Sequence, residues 1–244
     1  VAEDSGDDDE RPPPSGSADQ ATASPLDDLT WDDRGLLPTV VQDRHTGEIR
    51  MVAWANRAAV EATLATGQAT FFSRSRQALW RKGETSGHTL DVAEIWTDCD
   101  RDVLLYLADP HGPTCHLGTP TCFQHPLSPG AEGRAAPTLL RLEDTLEARK
   151  AAPRTGGSYT QRLLDGGAEA VGAKLREEAG ELSDALQSET DDRVWAEAAD
   201  LAYHALVGLV GRGLDHRGVL AELARRFGLS GLVEKARRRA PVSS

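Results

Sequence analysis

The stretch HPLSPGAEGRAAP, residues 125–137, constrains the fold of this 244-residue chain more than any other segment. Its Pro and Gly residues interrupt helix and strand alike, and with its Ala they give the composition of a linker. Before it, β-branched and aromatic residues cluster in short runs of strand character. After it, apolar residues recur at helical spacing. A change of period at a linker separates two units with separate cores, and a chain of this length can hold two modest domains. The expectation is an α+β domain over residues 31–124, then an all-α helical bundle over residues 138–240.

Within the first unit, TVVQDRHTGEIRMVAWA reads as two strands about a His-Thr-Gly turn. NRAAVEATLATGQ reads as a helix capped by Asn56 and ended by Gly67, with Val60 and Leu64 four apart. ATFFSRSRQALW and TLDVAEIWTDCDRDVLLYLAD return to strand. In the second unit Leu139, Leu142 and Leu146 recur at three and four. YTQRLLDGGAEAVGAKLREEAGELSDALQS continues as helix, loosened at Gly166 and Gly167. DDRVWAEAADLAYHALVGLVGRG is capped by Asp191 or Asp192 and stopped at Gly211 or Gly213. LDHRGVLAELARRFG and SGLVEKARRR complete the helical pattern.

The net charge of −12 is mostly a property of one end. Residues 1–33 hold eleven acids against Arg11 alone, leaving the body nearly neutral. Residues 1–30 combine that acidity with Pro, Ser and Gly and read as a disordered tail with no affinity for nucleic acid. No signal peptide pattern is visible, and the most apolar run, LAYHALVGLVG, is too short for a bilayer and contains His204. The reading is a cytoplasmic protein without a membrane partner.

Three cysteines are too few for a disulfide scaffold, and Cys99, Cys115 and Cys122 all fall in one short region. Cys99 lies inside WTDCDRD, where strand alternation would put Asp98, Asp100 and Asp102 on one face and Cys99 on the other. Three carboxylates on one face repel each other unless a hard cation such as Mg²⁺ lies between them. The plainer alternative is a solvated acidic edge. With the spacing Cys-x15-Cys-x6-Cys, three thiolates would hold zinc with a fourth position open for water. A histidine closing that position (His111, His116 or His125) would make the site structural, and three buried apolar cysteines are a further alternative. Because Cys99 faces away from the carboxylates, a second chain could supply its zinc partners, which makes a dimer plausible.

FFSRSRQALWRKGETSG places Arg74, Arg76, Arg81 and Lys82 among hydroxyl residues including Thr85 and Ser86. Gly83 and Gly87 free the backbone for close approach, and guanidinium and amide groups suit nucleotide phosphates. A basic surface loop is the alternative. Together LPTVVQDRHTGEIRMVAWAN, FFSRSRQALWRKGETSG, DCDRD and GPTCHLGTPTCF resemble phosphoribosyl-AMP cyclohydrolase of histidine biosynthesis, over about residues 35–123. The resemblance implies a homodimer with Mg²⁺ on Asp98, Asp100 and Asp102. It also implies zinc on Cys99 of one chain with Cys115 and Cys122 of the other. Arg74, Arg76, Arg81, Lys82, Gly83, Glu84, Thr85 and Ser86 fall in its substrate-binding segment. The implied reaction is hydrolytic opening of the adenine ring between N1 and C6. The family usually has Asn after GETSG, where this chain has His88, a residue able to alter binding or to act as a catalytic acid–base group.

In the helical unit Glu178 and Glu181 share one helix face, and Glu197 and Asp200 repeat that spacing with His204 a turn further on. Two such helices facing each other would converge four carboxylates on Mg²⁺. Lys174 lies one turn before Glu178, able to pair with it or to reach a phosphate. Val194, Ala198, Leu201, Ala205 and Leu209 form a neighbouring apolar stripe, which would set the acids at its edge. An acid-rich solvated helix is the plainer alternative. GGSYTQRLLDGG, KLREEAGELSDAL and EAADLAYHALVGL resemble phosphoribosyl-ATP pyrophosphohydrolase, of the all-α nucleotide pyrophosphohydrolase superfamily, over about residues 138–240. The superfamily pattern EExxE…ExxD falls on Glu177, Glu178, Glu181, Glu197 and Asp200. It implies Mg²⁺-assisted attack of water on the α–β phosphoanhydride, with the three-residue spacing favouring Glu178 over Glu177 as ligand.

Both resemblances together imply a bifunctional hydrolase acting on small-molecule nucleotides. A paralogue doing the same reactions in a specialised nucleoside pathway would carry the same motifs. A catalytically silent nucleotide- or metal-binding protein is the alternative from another class.

Overall fold

The computed structural model describes residues 24–130, 133–153 and 157–227. Strands and one helix occupy the first half, and five helices the second. Strand β1 (Leu37–Asp43) pairs antiparallel with β2 (Ile49–Ala55), through the Gly47 turn that the His-Thr-Gly sequence anticipated. Along β1 buried and half-buried residues alternate, so Leu37, Thr39 and Val41 face one core. Helix α1 (Arg57–Thr66) starts where Asn56 Oδ1 accepts from the Ala59 N–H at 2.9 Å and ends at Gly67 in the left-handed region. Its Val60 is buried, but Leu64 is exposed.

Strands β3 (Thr70–Ser73) and β4 (Ala78–Arg81) form a separate hairpin. Strands β5 (Leu90–Thr97) and β6 (Leu104–Pro110) complete a four-stranded sheet in the order β2-β1-β6-β5, with β1 and β6 parallel. Leu37, Val41, Met51, Val60, Phe71, Leu104 and Tyr106 are among the residues of the first core.

The second core joins Leu146, Leu163, Val171, Leu206, Val207 and Val210. They come from α2 (Thr138–Ala151), α3 (Tyr159–Asp165), α4 (Gly167–Ser188) and α5 (Asp191–Gly211). A last helix, α6, spans His216–Arg226. Among the described residues no helix is long and apolar enough to cross a membrane.

Several expectations need correction. The expected tail reaches residue 30, yet Pro25–Asp28 is a 3-10 turn closed by a Ser24 capping box, with Leu26 buried in the first core. Asp27 and Asp28 pair with Arg57 and Arg101, so a single apolar residue and two ion pairs order this stretch. Residues 1–23 lie outside the described residues, as does SGLVEKARRR. The helix expected to run through Gly166 and Gly167 breaks there, because Gly167 adopts φ +64°. Thr190, not an aspartate, occupies the N-cap of α5, and Asp191 and Asp192 lie in its first turn.

On α2, Leu146 is buried and Leu142 packs against the second core as expected, but Leu139 is 42% exposed, and Leu140 and Glu143 are buried. On α5, Glu197, His204, Leu206, Val207 and Val210 are buried, and Ala198 and Ala205 are exposed. Glu181 and Asp200 are exposed while Glu178 and Glu197 are buried, so the acids straddle the boundary of the core, and polar partners meet Glu197 and His204 on its buried side.

Candidate active sites

The antiparallel register of β3 with β4 places Arg81 at the end of β4 and sends Lys82–His88 across the mouth of a cleft of about 550 Å³. Arg76, Arg81, Lys82, Gly83, Glu84, Thr85, Ser86 and His88 line one side, and Cys115, His116 and Cys122 the other. Met51 and Trp80 also contribute. Arg74 does not line it: its guanidinium stacks over the Trp54 ring at 4.6 Å.

Glycine geometry shapes this cleft. Gly83 adopts φ +87°, and a Cβ there would lie 2.7 Å from the His88 carbonyl carbon and oxygen. Gly112 adopts φ +93°, and a Cβ there would lie 2.4 Å from His88 Nδ1. The His88 backbone thus packs on one glycine and its ring on another. The buried Lys82 donates from Nζ to the His88 carbonyl at 3.0 Å. Desolvation lowers the Lys82 pKa, against the opposing pull of Cys122 and Cys115.

Cys115 and Cys122 lie on a loop tied back to the sheet, for the Cys122 N–H donates to the Arg50 carbonyl at 2.9 Å. Cys115 is buried, and the Leu117 N–H holds its thiol below the ordinary value. Cys122 is pushed up to about 11 by desolvation and by the neighbouring Cys115. Both cysteines are free thiols, and each shifts the proton affinity of the other, lowering it at Cys115 and raising it at Cys122.

Beyond Thr97, WTDCDRD is not a strand. Strand β5 stops at Thr97, β6 begins at Leu104, and Arg101 between them adopts φ +63°. Asp98 Oδ1 accepts from the Asp102 and Val103 N–H groups, each at 3.1 Å, which folds the segment into a turn. Curvature, not strand alternation, gathers Asp98, Asp100 and Asp102, whose carboxylate oxygens lie within 4.8 Å of one another. All three are exposed. The Asp100 charge pushes the Asp102 pKa up, while the Val103 and Asp102 N–H groups outweigh desolvation and hold Asp98 low. Cys99 is exposed, with Sγ 4.0 Å from Asp100 Oδ1, so it is not on an opposite face. Among the described residues the three cysteines do not gather into one metal-sized group within the chain.

In the helical half, α4 and α5 pack along their length. Carboxylate oxygens of Glu178, Glu197 and Asp200 converge within 4.8 Å, and Glu178 and Glu197 are buried. Glu181 stands near them, and its pKa is raised by desolvation and by the charges of Glu178 and Glu197. Lys174 Nζ reaches Glu178 at 2.8 Å and Glu177 at 2.9 Å, and their carboxylates raise its pKa. Burial separates the two glutamates: Glu178 belongs to the cluster, whereas the Glu177 side chain is 54% exposed. Arg193 pairs with Glu197. His204 Nδ1 donates to the Asp200 carbonyl at 2.8 Å, so in the neutral ring Nε2 accepts from the Tyr159 hydroxyl at 2.9 Å. The same Nδ1 lies 3.7 Å from Glu178 Oε1.

Residues 51–124 match the family model of phosphoribosyl-AMP cyclohydrolase, and residues 139–227 that of phosphoribosyl-ATP pyrophosphohydrolase. The histidine biosynthesis bifunctional protein HisIE of Wolinella succinogenes is 41% identical over 224 residues, covering 88% of this chain and 97% of the relative. That of Thermus thermophilus is 44% identical over 201 residues, covering 82% and 93%. A chloroplastic relative of the same name from Arabidopsis thaliana is 41% identical over 225 residues, covering 87% and 80%. The chain belongs to this bifunctional histidine-biosynthesis family.

Its cyclohydrolase domain therefore contains the 550 Å³ cleft, and its pyrophosphohydrolase domain the buried carboxylates. The latter fit a hard divalent cation, since two buried acids and a third converge, partly offset by Lys174 and Arg193. The neighbouring free thiols Cys115 and Cys122, lining one cleft, fit zinc, which takes two sulfurs readily and needs further ligands. Sequence reasoning missed Tyr159, Arg193, Trp80 and Met51. Arg193 was findable, standing one turn before Glu197, and Tyr159 lies in the quoted GGSYTQ motif. Trp80 and Met51 carried no signal distinguishing them from core.

Proposed function

We propose that the two domains catalyse consecutive hydrolyses. The pyrophosphohydrolase domain cleaves phosphoribosyl-ATP at the α–β phosphoanhydride, giving phosphoribosyl-AMP and pyrophosphate. The cyclohydrolase domain then adds water at C6 of the adenine ring and breaks the N1–C6 bond, giving the formimino carboxamide nucleotide. One observation carries this reading: the Lys82–Ser86 loop and the Cys115–Cys122 pair, distant in sequence, line a single cleft.

In the helical site Glu178, Glu197 and Asp200 would hold Mg²⁺, with Glu181 completing the set. Glu181, whose proton affinity is raised, is placed to take a proton from the attacking water. Lys174 offers its ammonium group to phosphate oxygens, while the Asp200 carbonyl fixes the His204 tautomer and Tyr159 bonds the other ring nitrogen. In the cleft Arg76, Arg81 and Lys82 hold phosphate charge, while Thr85, Ser86 and the Gly83 backbone provide close polar contacts. His88, packed on Gly112, is positioned for proton transfer at the ring. Bound at Cys115 and Cys122, zinc supplies Lewis acidity toward water, and Mg²⁺ at the carboxylate sites offsets phosphate charge. Cys99 is exposed and separate from the cysteine pair, which supports a zinc site completed across a homodimer with Asp98, Asp100 and Asp102 holding Mg²⁺ nearby.

The test is a two-step assay with phosphoribosyl-ATP, Mg²⁺ and Zn²⁺, alongside metal analysis of the purified protein. Pyrophosphate followed by ring-opened product is expected. Absence of both products from folded, metal-loaded protein refutes the reading.

A further inference from the structure

We propose that Arg134 is a positioning residue for the cyclohydrolase cleft, transmitting the docked position of the helical domain to the Cys115 loop through Glu48 and Arg50. Arg134 lies between the two family matches, outside both. It was read from sequence only as part of a linker. In the structure it is a clamp: Nε and one terminal nitrogen donate to Asp144 of α2, at 2.9 and 3.0 Å. Its other terminal nitrogen pairs with Glu48 Oε1.

Glu48 is 1% exposed, so its charge has little water to fall back on. Each of its oxygens takes one guanidinium, Oε1 from Arg134 and Oε2 from Arg50 at 2.6 Å. That division leaves the rest of Arg50 free for the active-site loop. Its Nε donates to Thr114 Oγ1 at 3.2 Å, and a terminal nitrogen donates to the Gly112 carbonyl at 3.4 Å. Thr114 precedes Cys115, and Gly112 is the seat of the His88 ring. The Arg50 carbonyl meanwhile anchors the Cys122 N–H. One arginine thus touches the supports of both cysteines and of His88.

The physical reason for a relay is competition for Glu48. Without Arg134, both carboxylate oxygens have Arg50 as their single cation, and a two-pronged pairing is the favoured geometry. Arg50 would turn toward Glu48 and release Thr114 and Gly112, loosening the Cys115 loop. A second contact keeps the domains together in that event: Arg217 of α6 bonds Asp43 at 3.0 Å and Asp109 at 2.6 Å. Loss of Arg134 is therefore a change of position within a docked pair.

This inference rests on the assignment of Cys115 to the cyclohydrolase site, and its test has an arm independent of catalysis. The full chain is prepared as wild type, Arg134→Gln, Arg134→Lys and Asp144→Asn. Iodoacetamide labelling of Cys115 is followed by peptide mapping in zinc-free protein, and both half-reactions are measured in metal-loaded protein. Because Cys115 is 8% exposed, its labelling reports local opening of the loop. Arg134→Gln is expected to speed labelling and to lower kcat for ring opening, each by about 10-fold, as loss of a supporting partner commonly does. Pyrophosphate release stays at the wild-type rate, and Arg134→Lys restores part of both losses. Asp144→Asn shifts both readouts in the same direction by less, and it decides the matter should Arg134→Gln fail to fold. Unchanged labelling in Arg134→Gln and Asp144→Asn overturns the relay, as does an equal fall in both half-reactions. A wild-type protein that opens no ring refutes the cyclohydrolase reading instead, while the labelling comparison still decides the relay.

Discussion

Gly83→Ala isolates what the glycine geometry of the cleft contributes. The new methyl would meet His88 backbone atoms at 2.7 Å and the Thr89 nitrogen at 2.8 Å. Ordinary carbon contacts begin near 3.5 Å, so loop and backbone must part by roughly 0.8 Å. Neither partner is a flexible side-chain end, and the φ of +87° adds strain of about 1–3 kcal/mol for a residue with a Cβ. The displaced segment carries Lys82 and Glu84–Ser86 along the cleft, where a misplacement near 1 Å costs about 100-fold in rate. We expect kcat/KM for ring opening to fall by about that factor, with pyrophosphate release unchanged. Gly87→Ala is the control: φ is +76° but nothing lies within 4 Å of the added methyl, so strain is present without the clash. Its ring-opening rate should fall far less. Equal rates for the two variants, measured as steady-state ring opening at saturating metal, would refute the argument that close approach of Gly83 to His88 sets the loop.

Separate chemistry in the two domains predicts opposite losses. Cys115→Ser should abolish ring opening while pyrophosphate release persists, and Glu197→Gln should do the reverse; either variant stopping both steps equally in folded protein contradicts the division. Leu146, wholly buried in the second core, should cost about 2–5 kcal/mol when cut to Ala, and denaturant titration of the helical domain will register it. Asp109 offers a pH test of domain docking. Desolvation raises its pKa, but hydrogen bonds from Arg44 and Arg217 outweigh this and hold it below 3.8. A depressed carboxylate stabilises the folded state above its unfolded pKa and loses that contribution as pH falls through the lower folded value. Asp109→Asn should therefore flatten the acid limb of the unfolding profile below about pH 4; an unaltered limb counts against the pairing of Asp109 with Arg44 and Arg217.

Much of this molecule is legible in its residues because the signals are local. Asn56 and Gly67 mark the ends of α1 since capping and left-handed geometry depend on a few neighbouring atoms. The pairing of Glu178 with Glu197 and Asp200 follows from helical spacing, and the change of period at the linker divides the chain without any knowledge of packing. The errors have a common cause. WTDCDRD was read as strand because its flanks are strand, yet hydrogen bonds to Asp98 bend it into a turn. On α5, Ala198 and Ala205 of the apolar stripe are exposed, yet Glu197 and His204 are buried, because Arg193, Glu178 and Tyr159 meet them there.

What the sequence alone determined was the two-part architecture, the residue types at each site and the family chemistry they imply. Tertiary structure alone decided which groups meet. It joined the Lys82 loop to the cysteine pair, left Cys99 apart from that pair, and made Arg134 of the linker a partner of buried Glu48. Motifs record local spacing, whereas a buried charge takes its partner from whatever the fold brings within reach, however far away in sequence.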